Sequence, residues 1–146
     1  MDNFKFSIII SAYNSELEIS KCITSIIKQT LNFRDNVEII LINEGSKDNT
    51  DSICRDFALK FPENINYISK KYEGKGDSRN LGIKYAKGEY IHFLEGDDYL
   101  SKNTLKNISC NIYSFFCNYF TQLKKCIIEI LTFINKHISE GILRDS

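Results

Sequence analysis

Two short runs of aliphatic and β-branched residues, Phe6-Ser-Ile-Ile-Ile10 and Val37-Glu-Ile-Ile-Leu-Ile42, constrain the fold more than anything else in this chain. A strand with one face in water alternates polar and apolar residues, whereas a strand covered on both faces does not. Nearly unbroken runs of this length predict central strands of a parallel sheet. Ser11-Ala-Tyr-Asn14 ends the first run, and Ser15-Glu-Leu-Glu18 has the serine-to-glutamate spacing of a capping box. Behind it Ile19, Cys22, Ile23, Ile26 and Ile27 recur at helical spacing as one apolar stripe.

The scheme then repeats. After the second run comes a polar loop, Asn43 to Asn49, and a second stripe of Ile53, Cys54, Phe57, Ala58 and Phe61 that Pro62 closes. Ile65-Asn-Tyr-Ile68 reads as a third, shorter strand, and Lys70 to Asp77 as a charged loop. Ser78 to Ala86 reads as a helix with Asp77 or Ser78 as its cap and Gly88 beyond its end. Gly88-Glu-Tyr-Ile-His-Phe-Leu94 is the fourth strand. Strands and helices alternating in this way imply right-handed βαβ units. The expected fold is therefore an α/β, Rossmann-like, three-layer α/β/α domain with a mostly parallel sheet.

At 146 residues the chain fits a single sizeable core. Lysine plus arginine equal aspartate plus glutamate at 19 each, so no basic field draws nucleic acid. Met1-Asp2-Asn3 leads straight into the first strand, without the basic and apolar regions of a signal peptide. The five cysteines, Cys22, Cys54, Cys110, Cys117 and Cys126, show no Cys-x-x-Cys spacing and suit neither a zinc site nor a disulfide framework. Their natural compartment is a reducing cytoplasm. No Gly-x-Gly-x-x-Gly follows the first strand and no Walker A lysine motif occurs, which disfavours dinucleotide enzymes and P-loop ATPases. His92 and His137 have no neighbours suggesting a metal site or a triad.

The fourth strand delivers Glu95-Gly96-Asp97-Asp98. Carboxylates this close repel one another, and a divalent cation is the usual reason to tolerate them. One or two carboxylates with open positions for phosphate oxygens commonly hold a metal–nucleotide complex. The competing reading is a polar turn, since Gly-Asp-Asp is ordinary turn chemistry. In a doubly wound sheet the loops after the strands converge at one edge. They bring Ser11, Tyr13, Asn14 and Glu16 from the first loop, and Asn43, Glu44, Gly45 and Ser46 from the second. The third adds Lys70, Lys71 and Lys75. An aromatic face, acceptors for base N–H groups, cations for phosphate and acids for a metal together suit a nucleoside diphosphate. Taken singly, each has a structural explanation as a cap, a turn or a solvated charge.

Four blocks also carry a family resemblance: Ser7 to Asn14, Ile40 to Thr50, Ser78-Arg-Asn-Leu-Gly82, and Ala86 to Ile91 with Phe93 to Asp98. In order and spacing, from about Phe4 to about Asn107, they resemble the family 2 glycosyltransferases, nucleotide-sugar enzymes of the inverting GT-A fold. The resemblance implies a nucleotide-sugar-binding core over residues 1–107; the spacing of apolar residues beyond it predicts a helical segment over 108–146 that is not an independent domain. The resemblance also implies Mg2+ or Mn2+ as cofactor, a nucleotide-diphosphate sugar as donor and a glycan or lipid-linked acceptor. Tyr13 resembles the tyrosine that stacks on the base, and Glu44 stands where an aspartate accepts from the base ring nitrogen. Arg79 lies where a basic group approaches the diphosphate. Glu95 and Asp97 occupy the two acid positions of the Asp-x-Asp motif, with Asp97 the expected metal ligand and Asp98 beside it as support or a second acid at the metal. Ser11, Asn14, Glu16 and Ser46 complete the implied nucleotide-sugar site.

Some positions depart from the pattern. Ser11 stands where a proline is usual, Asn43-Glu44 replaces Asp-Asp, and Glu95 replaces the first aspartate of the metal motif. Each glutamate adds a methylene and moves a carboxylate by about an ångström, which can cost on the order of 100-fold in rate. None of the family's later motifs, which supply the acceptor wall and the general base, is recognised after Asp98. The remaining acids, Glu129, Glu140 and Asp145, have nothing in their setting to mark a base, so no catalytic residue is assigned. The alternative to an active transferase is a truncated, non-catalytic nucleotide-sugar-binding remnant. A nucleotidyltransferase would want a glycine- and basic-rich loop where Ser11-Ala-Tyr-Asn14 stands.

The end of the chain places Ile112, Phe115, Phe116, Tyr119, Leu123, Ile127, Ile130, Leu131, Ile134 and Ile138 at helical spacing. One or two amphipathic helices are expected there, covering the sheet or one another. The other expectations are a homodimer seam, or a peripheral contact with the inner face of the membrane in which Lys102, Lys106, Lys124 and Lys125 meet lipid phosphates. Polar residues interrupt the run too often for a transmembrane span.

Overall fold

Ile8, Ile9 and Ile10 are consecutive and each is at most 1% exposed, which demands cover on both faces of their strand. The structure, a computed structural model, describes residues 4–72 and 75–111. Strand β1 (Phe6–Ala12) lies between β2 (Val37–Asn43) and β4 (Tyr90–Glu95), with β3 (Ile65–Ser69) outside β2; all three pairings are parallel. Every residue of β1 and β2 is buried. The order β3-β2-β1-β4 means that the chain winds outward from β1 to β3, then crosses back to the other side of β1. Right-handed crossovers in opposite directions put helices on opposite faces.

Helices α1 (Ile19–Ile27) and α3 (Thr50–Lys60) pack together, with α3 against β2 and β3. Helix α4 (Lys75–Tyr85) packs against β1 and β2, where Leu81 and Ala86 meet Ile9, Ile40 and Ile42. Each such isoleucine contributes about 1.5–3 kcal/mol by leaving water. Gly82 lets α4 ride directly on β1: a Cβ there would lie 2.4 Å from Ile9 Cγ2. Helix α2 (Phe33–Asn36), a single turn capped by the Asn32 side chain, precedes β2 and was not among the expected elements.

Two local expectations are corrected. The capping box does not form: the Ser15 hydroxyl donates to Tyr13 O at 3.2 Å, and Glu18 is an N-cap without a side-chain bond. The Ser15 N–H is already taken by Thr50 Oγ1 at 2.8 Å, a tie to the next loop that outweighs the local cap. Helix α4 begins at Lys75, so Asp77 and Ser78 lie inside it rather than at its cap.

At the opposite pole from the carboxyl ends of the strands, the buried Glu38 accepts from Ser7 Oγ and from the N–H groups of Lys87 and Gly88. These bonds pin the start of β4 to β1 and β2. The chain divides into two compact units, Met1–Lys106 and Asn107–Ser146. Of the second, only residues 107–111 are described, and they are helical. The expected amphipathic stripe from Ile112 onward, with its homodimer and membrane contacts, lies outside the described residues, as do Cys117, Cys126 and His137. Among the described residues no helix is long and apolar enough to cross a membrane.

Candidate functional site

The winding direction reverses at β1, and a crevice at such a switch point is where open α/β sheets bind ligands. Ser11 and Glu95 are direct partners across the β1–β4 pair. Beyond them the Gly96 N–H donates to Ser11 O at 2.8 Å, and a turn closes as the Asp98 N–H donates to Glu95 O at 3.1 Å. A cleft of about 550 Å³ opens here, lined by Ser11, Tyr13, Ser15, Glu44, Tyr72, Glu95, Gly96 and Asp97. Gly96 is needed for this shape, since a Cβ would lie 3.0 Å from Ser15 Oγ and 3.1 Å from Ala12 Cβ.

The three acids of the cluster have different surroundings. Glu95 is held from both sides, accepting from Ser11 Oγ at 3.0 Å and from Arg79 Nη2 at 3.0 Å. The Arg79 guanidinium also lies 5.7 Å from the Phe93 ring centre. Arg79 thus spends its charge on Glu95. Asp97 is exposed, lines the cleft and makes no hydrogen bond among the described residues. Asp98 is exposed and turned back on the loop, its Oδ2 accepting the Glu95 N–H at 3.3 Å. The acids are felt beneath the site: burial, then Asp98 and Asp97, push the Cys22 thiol up to about 12.

The other wall comes from the first two loops. Asn14 takes a left-handed conformation with φ at 48°, which asparagine tolerates better than most residues. Its N–H donates to Ser46 Oγ at 3.0 Å and its Oδ1 accepts from the Lys47 N–H at 2.8 Å. Glu16 Oε2 accepts from Asn49 N at 2.9 Å and Asn49 Nδ2 at 3.0 Å. Asn14, Glu16 and Ser46 therefore lace the loops together and are not among the residues lining the cleft. Ser11, Tyr13, Glu44, Glu95 and Asp97 are brought together in it; Arg79 reaches it through Glu95.

Glu44 is the unusual member. It is 6% exposed, its N–H continues the ladder to Ala12 O at 2.9 Å, and its Oε1 has no hydrogen-bond partner among the described residues. Buried polar atoms are nearly always paired, so an orphan acceptor on a residue that lines a cleft calls for an explanation. Next to it Asn43 is fully engaged. Its Oδ1 accepts from Ser46 N and Oγ, and its Nδ2 donates to Asp51 Oδ1 at 3.0 Å and to Tyr67 OH at 3.2 Å. Lys70, one of the loop cations, is ion-paired with Asp77. Ser15, Tyr72 and Gly96 are lining residues that sequence reasoning did not assign to the site, and for Tyr72 an aromatic ring in a charged loop was a usable signal.

Among the described residues no group of three or more His, Cys, Asp or Glu is gathered tightly enough to hold a metal ion. The chemistry of the donor set still fits a hard cation. Asp97 offers an uncommitted carboxylate at the mouth of the cleft, and such ions commonly take one or two carboxylates and fill their shell with phosphate oxygens and water.

Comparison with known proteins accords with this geometry. The minor teichoic acid biosynthesis protein GgaB of Bacillus subtilis (strain 168) is 44% identical over 106 residues, covering 73% of this chain and 12% of that protein. The poly(ribitol-phosphate) beta-N-acetylglucosaminyltransferase TarS of Staphylococcus aureus (strain Mu50 / ATCC 700699) is 32% identical over 108 residues, covering 74% of this chain and 19% of that protein. The chain therefore spans well under half the length of these relatives. The crystal structure of S. aureus TarS 1-349 in complex with UDP-GlcNAc matches with a TM-score of 0.69 at 32% identity, over 76% of this chain and 32% of that one. The mannosyltransferase PcManGT from Pyrobaculum calidifontis, at 24% identity and a TM-score of 0.63 over 70% of this chain and 30% of that one, shares the fold. These neighbours are GT-A glycosyltransferases, and the parallel sheet with flanking helices is of that type. The model of the family described as glycosyl transferase family 2 matches residues 7–109, and the chain belongs to that family.

Proposed function

We propose that this chain forms the donor-binding part of a metal-dependent, inverting glycosyltransferase that moves a sugar from a nucleoside diphosphate to a glycan or lipid-linked acceptor. The observation that carries the reading is the orphan Oε1 of buried Glu44, a residue that lines the same cleft as half-exposed Tyr13 and exposed Asp97. The cleft volume of about 550 Å³ lies within the usual range for small-molecule sites. Tyr13 offers a face to the base, and Glu44 accepts a base N–H. Asp97, with Asp98 behind it, would hold Mg2+ or Mn2+. When bound, the cation neutralises charge on the departing diphosphate as a Lewis acid. Glu95, locked between Ser11 and Arg79, fixes the wall between base and metal positions. The likeness to a teichoic acid biosynthesis protein and a poly(ribitol-phosphate) glycosyltransferase supports a polymer of that kind as the acceptor class. Residues 1–107 form the donor core in this reading. A cytoplasmic position agrees with the free thiols of Cys22, Cys54 and Cys110.

The test is thermal stabilisation by UDP, GDP and TDP, each with and without Mn2+. Ligand at a hundred times its dissociation constant adds about 2.7 kcal/mol. A manganese-dependent rise in Tm with at least one nucleotide is expected; no rise with any of them overturns the proposal. One observation favours a second reading, binding without transfer. Glu95 is already committed to Ser11 and Arg79 and Glu44 lies deep, so among the described residues Asp97 is the one exposed carboxylate lining the cleft. Release of UDP from UDP-GlcNAc in the presence of teichoic acid polymer decides for transfer. Binding with no release decides for the second reading.

A further inference from the structure

Tyr72 follows β3 in the charged segment Lys70-Lys71-Tyr72 and is 59% exposed, yet it lines the cleft. Its ring centre lies 6.4 Å from that of Tyr13, which is 50% exposed, with the ring planes 42° apart. Both tyrosines are tied to one loop. On the Tyr13 side, the Asn14 N–H is bonded to Ser46 Oγ. On the Tyr72 side, the Lys70 N–H donates to Asn43 O at 2.9 Å. Gly45, at φ +76°, passes so near that a Cβ on it would lie 3.4 Å from Lys70 O and 3.8 Å from Lys71 Cα. Glu44, with its orphan oxygen, belongs to the same loop and lines the same cleft.

Aromatic carbons touch at about 3.5 Å, so a flat ring between two others needs their centres about 7 Å apart. The gap here is 6.4 Å between tilted rings, short of that by less than an ångström, and a small rotation of one exposed side chain opens it. We propose that Tyr72 is the second wall of the nucleobase site: the base slots between Tyr13 and Tyr72 with one edge on Glu44. The inference rests on the nucleotide-donor reading of this cleft. Stacking from two sides is indifferent to base identity, because every base has a π-face. Tyr72 therefore adds affinity, and choice among bases stays with Glu44.

The experiment is calorimetric titration of the full chain and of Tyr72→Ala, Tyr72→Phe and Tyr13→Ala with UDP and with inorganic pyrophosphate, all in Mn2+. Tyr72→Ala is expected to weaken UDP on the order of tenfold, the scale of one base–aromatic stack. Tyr72→Phe, which keeps the ring, should bind UDP like the parent. Pyrophosphate, which has no base, should bind all four proteins alike. If Tyr13→Ala weakens UDP and Tyr72→Ala does not, the second wall is wrong while the nucleotide reading stands. Equal weakening of UDP and pyrophosphate by Tyr72→Ala also overturns it, because the ring would then act on the phosphates or the loop. If the parent binds no UDP, the nucleotide reading itself falls.

Discussion

Replacing Glu44 with glutamine tests whether the cleft is built for its ligand at the expense of the empty protein. Glu44 is 6% exposed and its Oε1 is unpaired. A buried acceptor without a donor costs about 1–3 kcal/mol, and more when the group carries charge. Glutamine keeps the shape and removes the charge, while still leaving one polar atom to satisfy. The ligand-free variant should therefore gain about 1 kcal/mol, the low end of that range. The unit that holds the site is Met1–Lys106, and for a domain of that size 1 kcal/mol moves Tm by about 4 °C or somewhat more. Nucleotide affinity should move the other way. A hydrogen bond to a carboxylate is roughly twice as strong as one to a neutral amide. A loss of about 1.4 kcal/mol would weaken binding tenfold.

Two assays read the two effects separately: thermal melts without ligand, and calorimetric titration with UDP. A higher Tm with a larger Kd is the expected pair, as for a site whose binding groups are held against the folding equilibrium. A lower ligand-free Tm would refute the idea that this carboxylate is a liability when the cleft is empty. An unchanged Kd would remove Glu44 from the base.

Four further outcomes follow from the same structure. Gly88→Ala puts a Cβ 2.6 Å from Ser7 N and 2.7 Å from Phe6 C, backbone atoms that cannot swing aside, and disturbs the Gly88 N–H bonds to Ser7 Oγ at 2.8 Å and Glu38 Oε1 at 3.2 Å. Overpacking with a weakened buried bond should cost about 3 kcal/mol in urea denaturation, and a change under 0.5 kcal/mol would contradict it. In acid, the hydrogen bonds from Arg55 and then Tyr67 hold Asp51 at about 2, below its unfolded value near 3.9. That stability is present above about pH 4 and lost as pH falls toward 2, so Asp51→Asn should flatten the acid limb of a pH series of urea midpoints. In alkali, burial pushes Cys22 and Cys54 up to about 12, so stability should fall as pH rises above roughly 9, where unfolded thiols ionise and these two do not. At pH 8 a thiol reagent should label the exposed Cys110 before either, as peptide mapping would read.

Strands β1 and β2 are legible in the sequence because cover on both faces leaves no room for alternation. The start of α4 is not legible, because Gly76 and Asp77 are poor helix formers and the helix is held by Leu81 and Ala86 on the sheet. At the site, topology predicts which loops converge, but residue type does not say where each side chain points. Asn14, Glu16 and Ser46 are as suited to a ligand as Glu44 is. Yet they satisfy one another and the loop backbone, while Glu44 Oε1 is buried without a partner among the described residues. Only a count of hydrogen-bond partners separates binder from brace.

The same count changes how the departures from the family pattern read. Glu95 is a methylene longer than the aspartate it replaces, and its two oxygens are taken by Ser11 and Arg79. Ser11 itself replaces a proline, which has no hydroxyl to give. The two changes answer each other across adjacent strands, and the longer carboxylate is fixed rather than loose. Asn43 behaves likewise. Its Nδ2 donates to Asp51, a carboxyl already committed to Arg55 and Tyr67, and an aspartate at 43 would set two carboxylates face to face. Judged one at a time, Glu95 and Asn43 look like damage to a nucleotide site. Judged with the residues they touch, both side chains are fully engaged, and Glu44 is the departure whose Oε1 has no hydrogen-bond partner among the described residues.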